Sequence, residues 1–281
     1  MTSHLPSSDL FLNPPAPNRP PGRLIRIGGF RLHCVTAGAG GPAILFESGM
    51  PASSVSWMHL LEPLAPAARL FAYDRAGFGW SDPGPFPRTS GRIVQEMRQL
   101  LDAAGFPGPY ILVGHSFGVF NVRLFAALYP EDVAGLLLLD PIHPEDWVEP
   151  GEERGRQLAG GVSGCYHGAR LARWGVAGLV ERIVGLGAFG LARKVVNVLT
   201  RGGAPALESR IGPLGKIHPA FRASARKFLT YSRFYEAMGS QIASLPYSAQ
   251  EVLETAVYGS YPVTLVSASN APPDQLRRHE Q

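Results

Sequence analysis

The sequence predicts an α/β protein, a mostly parallel sheet with helices on both faces and a helical insertion late in the chain. Three observations carry this. Short apolar runs alternate with segments of helical period from residue 23 to 145. The leucine-rich run at 133–139 shows no polar alternation, as expected of a strand covered on both faces. Between 143 and 260 the alternation gives way to helical stretches separated by glycines and prolines. With 281 residues and 45% hydrophobic composition, one domain with an insertion suits the length better than two independent domains.

Taken in order, residues 1–21 hold six prolines and no long apolar run, so they are expected to be a disordered leader, neither a signal peptide nor a membrane anchor. A core spans 22–142. Strand-like stretches at 23–27 and 30–36, separated by Gly28-Gly29, read as a hairpin leading to a buried strand at 43–46. Residues 69–73 form another strand, ending in the glycine-rich turn Asp74-Arg75-Ala76-Gly77-Phe78-Gly79. The segment 92–104 places Ile93, Met97, Leu100, Leu101 and Ala104 on one helical face. Thr89 and Ser90 are its cap candidates, and Gly105 lies just past its end. A strand at 110–113, a helix at 119–129 and the strand at 133–139 follow.

Residues 143–260 read as an inserted helical lid, with helical stretches at 171–199, 219–238 and 249–257. Its amphipathic piece 175–191 is expected to pack on the core, the alternatives being a lipophilic pocket wall or a membrane contact. Residues 261–281 supply one more core strand, at 262–267, and a polar tail.

Net charge is +4, and residues 151–240 hold fourteen of the 26 Lys and Arg against five acids. These cations are interspersed with Leu, Val and Ala, so a solvated helix face is expected and no nucleic-acid partner. Cys34 and Cys165 match no metal or redox spacing. No disulfide framework and no metal are expected, and the setting is read as reducing and cytoplasmic, without a transmembrane segment.

The pentapeptide Gly114-His115-Ser116-Phe117-Gly118 lies between a predicted buried strand and a helix, the context of a nucleophile elbow. There a sharp turn lifts the Ser116 hydroxyl above the sheet. The following helix aims its first N–H groups and positive dipole end at the same place, so the Phe117 amide is a candidate oxyanion donor. A second donor is expected from the loop after the strand at 43–46, where Ser48-Gly49-Met50 offers the Met50 amide. His115 is expected to project elsewhere and pack.

Glu47-Ser48-Gly49, the stretch Asp74 to Asp82 (DRAGFGWSD) and Gly114 to Gly118 (GHSFG) together resemble the α/β-hydrolase superfamily of the AB-hydrolase-1 type, closely over residues 23–145 and loosely afterwards. The resemblance implies an eight-stranded, mostly parallel sheet, a lid after the sixth strand, and Ser, acid and His in that chain order. It implies that residues 74–82 are a structural loop beside the pocket. Many relatives carry His-Gly before the oxyanion residue where this chain has Ser48-Gly49, so the side-chain support of the hole differs. Serine at the nucleophile position, instead of aspartate, argues against the epoxide hydrolases and haloalkane dehalogenases that share the fold.

The acid has two candidates, Asp140 after the strand at 133–139 and Asp274 after the strand at 262–267, and Asp140 is favoured. The histidine is placed by the resemblance after an eighth strand. Only fourteen residues follow Ser267, and the expectation is that this strand and its histidine are missing. His143, His167, His218 and His279 follow Asp140 and are expected to be exposed or structural. The expected function is an esterase-like serine hydrolase acting on a small lipophilic acyl substrate without a cofactor. The alternative is a non-catalytic binding or regulatory homologue that has lost its base. Oligomeric state is not encoded in any motif.

Overall fold

The computed structural model describes residues 20–188, 194, 215–255 and 259–268. Most of the leader, much of the 171–199 stretch, and the tail with Asp274 and His279 lie outside the described residues. Among the described residues seven strands form one sheet in the order β1-β2-β4-β3-β5-β6-β7. They are β1 (Arg23–Ile27), β2 (Phe30–Ala37), β3 (Ala43–Glu47), β4 (Arg69–Tyr73), β5 (Tyr110–His115), β6 (Val133–Leu139) and β7 (Val263–Val266). The β1–β2 hairpin and the β2–β4 pair are antiparallel, and the rest of the sheet is parallel.

Side chains divide between the two faces with the strand period of two. Leu32 and Cys34, Ala43 and Leu45, Phe71 and Tyr73, Tyr110 and Leu112, and Leu136 and Leu138 enter one core. Val35 and Ala37, Phe46, Leu70 and Ala72, and Val113 enter the other. A strand buried on both faces has no position for a polar residue, which is why these runs read as continuous apolar stretches.

The first core is closed by α2 (Ser90–Ala104) and α3 (Gly118–Leu128), the second by α1 (Met58–Leu64). Helix α2 ends where the sequence predicts and begins two residues before the predicted 92, with Thr89 as its cap. The Thr89 hydroxyl accepts from the Arg92 amide at 3.2 Å, and Gly105 terminates the helix at φ 65°. Helix α1 was not legible as an element, although Val55, Met58 and Leu61 recur at threes and are all buried.

Between β6 and β7 the described residues form the helices α4 (Glu145–Val148), α5 (Glu152–Arg173), α6 (Val176–Gly185), α7 (Arg222–Phe228), α8 (Ser232–Ala243) and α9 (Leu245–Glu254). The predicted helix at 171–199 is instead broken at Gly175, whose φ of 77° ends α5. The stretch predicted at 219–238 divides between Phe228 and Ser232. Helix α9 starts four residues before the predicted 249 because Pro246 fits its first turn. Contrary to the expectation of core packing, α6 buries none of its residues and rests on α5 and α7. No described helix is long and apolar enough to cross a membrane.

The loop after β4 is anchored by a fully buried carboxylate. Asp74 accepts from the Ser54 amide at 2.7 Å, the Trp80 amide at 2.9 Å and the His33 ring at 2.8 Å. The other ring nitrogen of His33 meets the Pro21 carbonyl, so both ring nitrogens face oxygen atoms. Burial pushes the Asp74 pKa up, but the adjoining His33 and the two amides outweigh it and hold the carboxyl below its ordinary value.

A carboxyl whose folded pKa is depressed contributes stability above its unfolded pKa, about 3.9, and loses it as pH falls through the folded value. Asp74→Asn, which replaces one acceptor oxygen of the buried cluster by a donor, is expected to lose about 1–3 kcal/mol at neutral pH. Its stability should fall less than the wild type's below about pH 4. Urea titrations from pH 3 to 7 check both, and parallel curves for the two proteins would contradict the assignment.

Candidate active site

Parallel pairing brings three strand ends to one level. The register matches Glu47 with Gly114 and His115 with Leu139, so Gly49, Ser116 and Asp140 fall side by side where the strands stop. The chain cannot continue as strand there, because Ser116 turns into α3. Its φ is 51°, the left-handed region that a residue with a β-carbon rarely adopts, and its amide donates to the Leu139 carbonyl at 3.0 Å. Strain of this kind is the geometric signature of an elbow that exposes a side chain. Asp140 has φ 45°, and its amide is held by the Val266 carbonyl at 2.7 Å.

Close approach fixes the other wall. A β-carbon added at Gly118 would lie 2.6 Å from the Glu47 carbonyl oxygen and 2.7 Å from that of Ser48. One added at Gly49 would lie 2.7 Å from the His115 Nδ1 and 3.2 Å from the Ser116 β-carbon. Glycine is required at both because the β3 end, the elbow and the α3 start share one contact. The structure thus places the loop carrying Met50 directly beside Ser116. Phe117 is buried at the N-terminus of α3, where its N–H precedes the helical hydrogen-bond ladder.

His115 departs from expectation. Its ring is exposed at the top of the sheet beside Gly49, not packed in the core. Partial burial lowers its pKa below the ordinary histidine value, and the nearby Asp140 offsets part of that effect. Of the other histidines, His167 is exposed on α5 with its Nδ1 2.9 Å from the Ser163 carbonyl. His218 accepts from the Ala220 amide at 3.3 Å, capping a short helical turn. His143 lies on the loop after Asp140. Among the described residues no side chain hydrogen-bonds the Ser116 hydroxyl. The buried Cys34 thiol is pushed up to about 12 by burial, which leaves it inert as a competing nucleophile.

A charged network lies beneath the Gly49 loop. Arg75, nearly wholly buried, donates from Nη1 to Glu47 Oε1 at 2.7 Å and to the Ser48 carbonyl, and from Nη2 to the Gly49 carbonyl at 2.8 Å. Asn121 on α3 donates to the same Glu47 oxygen at 2.6 Å, and the Trp57 indole donates to Ser48 Oγ at 2.8 Å. The guanidinium lies over the Phe78 and Phe117 rings, 5.4 and 5.8 Å from their centroids. The sequence analysis names Glu47 and Arg75 only within the motifs of the resemblance and gives neither a role at the site. The signal was a carboxylate closing a strand with no solvent-facing side, which requires a buried cation.

Residues 42–161 match the family model described as alpha/beta hydrolase fold. That match covers under half of the chain, and the sheet order agrees with an α/β-hydrolase fold. An AB hydrolase superfamily protein of Gibberella zeae is 33% identical over 103 residues, 35% of this chain and 32% of that protein. Epoxide hydrolase 4 of Mus musculus is 32% identical over 129 residues, 44% of this chain and 35% of that protein. The chain thus matches well under half the length of these curated relatives. Among solved structures, a putative epoxide hydrolase from Pseudomonas aeruginosa superposes with TM-score 0.63 at 15% identity, covering 90% of this chain and 80% of that one. Cfl2 from Burkholderia cenocepacia gives 0.62 at 24%, covering 90% and 81%. At such identities the likeness is one of fold.

Because any side chain at residue 118 meets two backbone oxygens, Gly118→Ala is expected to cost about 1–3 kcal/mol of stability. Gly160→Ala, on an exposed turn of α5 with open space around it, should gain up to about 1 kcal/mol. Urea unfolding of both variants checks the contrast, and equal effects would contradict the close contact.

Proposed function

We propose that the chain is an esterase-like serine hydrolase that cleaves a small lipophilic acyl substrate through an acyl-enzyme. The observation that carries this is the contact of Gly49 with Ser116: a left-handed serine, a helix N-terminus and a glycine loop converge on one point. Ser116 Oγ attacks the acyl carbon, its proton passes to a base, and the carbonyl oxygen becomes an oxyanion received by the Phe117 and Met50 amides. The leaving alcohol departs with that proton, and water then cleaves the acyl-enzyme by the same route. A hydroxyl nucleophile favours acyl transfer over the epoxide opening in the names of several relatives.

In this reading Asp140 is the acid, since it ends the strand next to the elbow and acts electrostatically on the exposed His115. By the order Ser, acid, His that the resemblance implies, the base is a histidine that follows Asp140 in the chain. The helices between β6 and β7 act as the lid and set acyl length.

Incubation with a fluorophosphonate probe should label Ser116 promptly, and Ser116→Ala should abolish labelling and lower ester hydrolysis by about 10⁴-fold or more. Undiminished labelling of the alanine variant would remove the serine from the reaction. If the protein takes up no label, the inert binding homologue is the better description.

A further inference from the structure

We infer that Arg75 is a positioning residue for the oxyanion hole: by gripping the Gly49 carbonyl from below, it turns the Met50 amide toward the substrate. This rests on the serine-hydrolase reading for its kinetic consequence but not for its geometry. The Gly49–Met50 peptide is trans, so its C=O and N–H point in opposite directions. Arg75 holds that oxygen at 2.8 Å from the buried side, beside the Ala52 amide, which donates to it at 2.9 Å and closes the turn. The N–H of the same peptide plane is therefore directed away from the guanidinium. The neighbouring Ser48 carbonyl is held by Nη1, so two consecutive peptide planes are fixed by one planar fork.

Everything around the guanidinium restrains it. Glu47 balances its charge, and Asn121 ties that carboxylate to α3, the helix that presents the Phe117 amide. Phe78 and Phe117 cover its faces. One buried ion pair thereby sets the relative position of both donors, and it does so from residues that meet no substrate. Without the grip only the Ala52 turn bond holds this peptide, and any reorientation of the Met50 amide falls in the transition state, when preorganisation matters most.

A lysine at 75 keeps the charge opposite Glu47 but cannot span both carbonyls. The paired change Glu47→Gln with Arg75→Met removes the grip while leaving no buried carboxylate unpaired. Both variants and the wild type are compared by thermal unfolding, by kcat and KM on p-nitrophenyl butyrate, and by hydrogen exchange at the Met50 and Phe117 amides.

The expected result for folded variants is a kcat lower by about 10- to 100-fold with KM changed by less than about twofold. Exchange should quicken at Met50 and stay unaltered at Phe117. An unchanged kcat, or unaltered Met50 exchange in either folded variant, would overturn the proposal. Failure of both variants to fold would overturn it too, by making Arg75 purely structural. If the wild type hydrolyses nothing, the hydrolase reading fails separately, and Met50 exchange alone decides whether Arg75 orients the peptide.

Discussion

The level ending of β3, β5 and β6 is the constraint on which the site depends. Parallel register leaves Gly49, Ser116 and Asp140 abreast at the C-terminal edge of the sheet, and the chain must leave that edge in three directions within a few ångströms. Only a left-handed serine, a left-handed aspartate and two glycines without β-carbons satisfy the crowding. The strain sits where a hydroxyl has to be lifted clear of the sheet. The apolar strands beneath, buried on both faces, hold it in place.

Two buried ion-paired centres surround this edge and divide the work. The Asp74 and His33 pair closes the loop after β4 and ties it to the β2 strand and to Ser54. The Arg75 and Glu47 pair, one residue further along, grips the end of β3 and reaches α3 through Asn121. Consecutive residues of a single turn thus serve scaffold and site. Burying such charges is costly unless each is hydrogen-bonded, and Arg75 is matched by three oxygens and two aromatic faces.

Much of this was legible in the chain. The period-two and period-3.6 patterns located the strands and α2, because in a two-faced sheet hydrophobicity alone fixes which residues go inside. GHSFG located the elbow, because the turn needs those glycines whatever surrounds it. Less legible were contacts between residues distant in sequence: the grip of Arg75 on residues 48 and 49 exists only once β3 and β4 lie side by side. The helix at 171–199 was misjudged because Gly175 interrupts an apolar period that otherwise continues, and period alone does not reveal a left-handed residue. His115 was expected to pack, yet it forms the last pair of β5 with Leu139 and its side chain is exposed at the strand end.

The central claim is that Ser116 presents its oxygen to a point where the Phe117 and Met50 amides meet. The most direct measurement is a crystal structure of the protein after reaction with an alkyl phosphonate. The account predicts a covalent bond at Ser116 Oγ, with the phosphoryl oxygen within about 3 Å of both amide nitrogens. A phosphoryl oxygen directed to solvent, with neither amide facing it, would contradict the account.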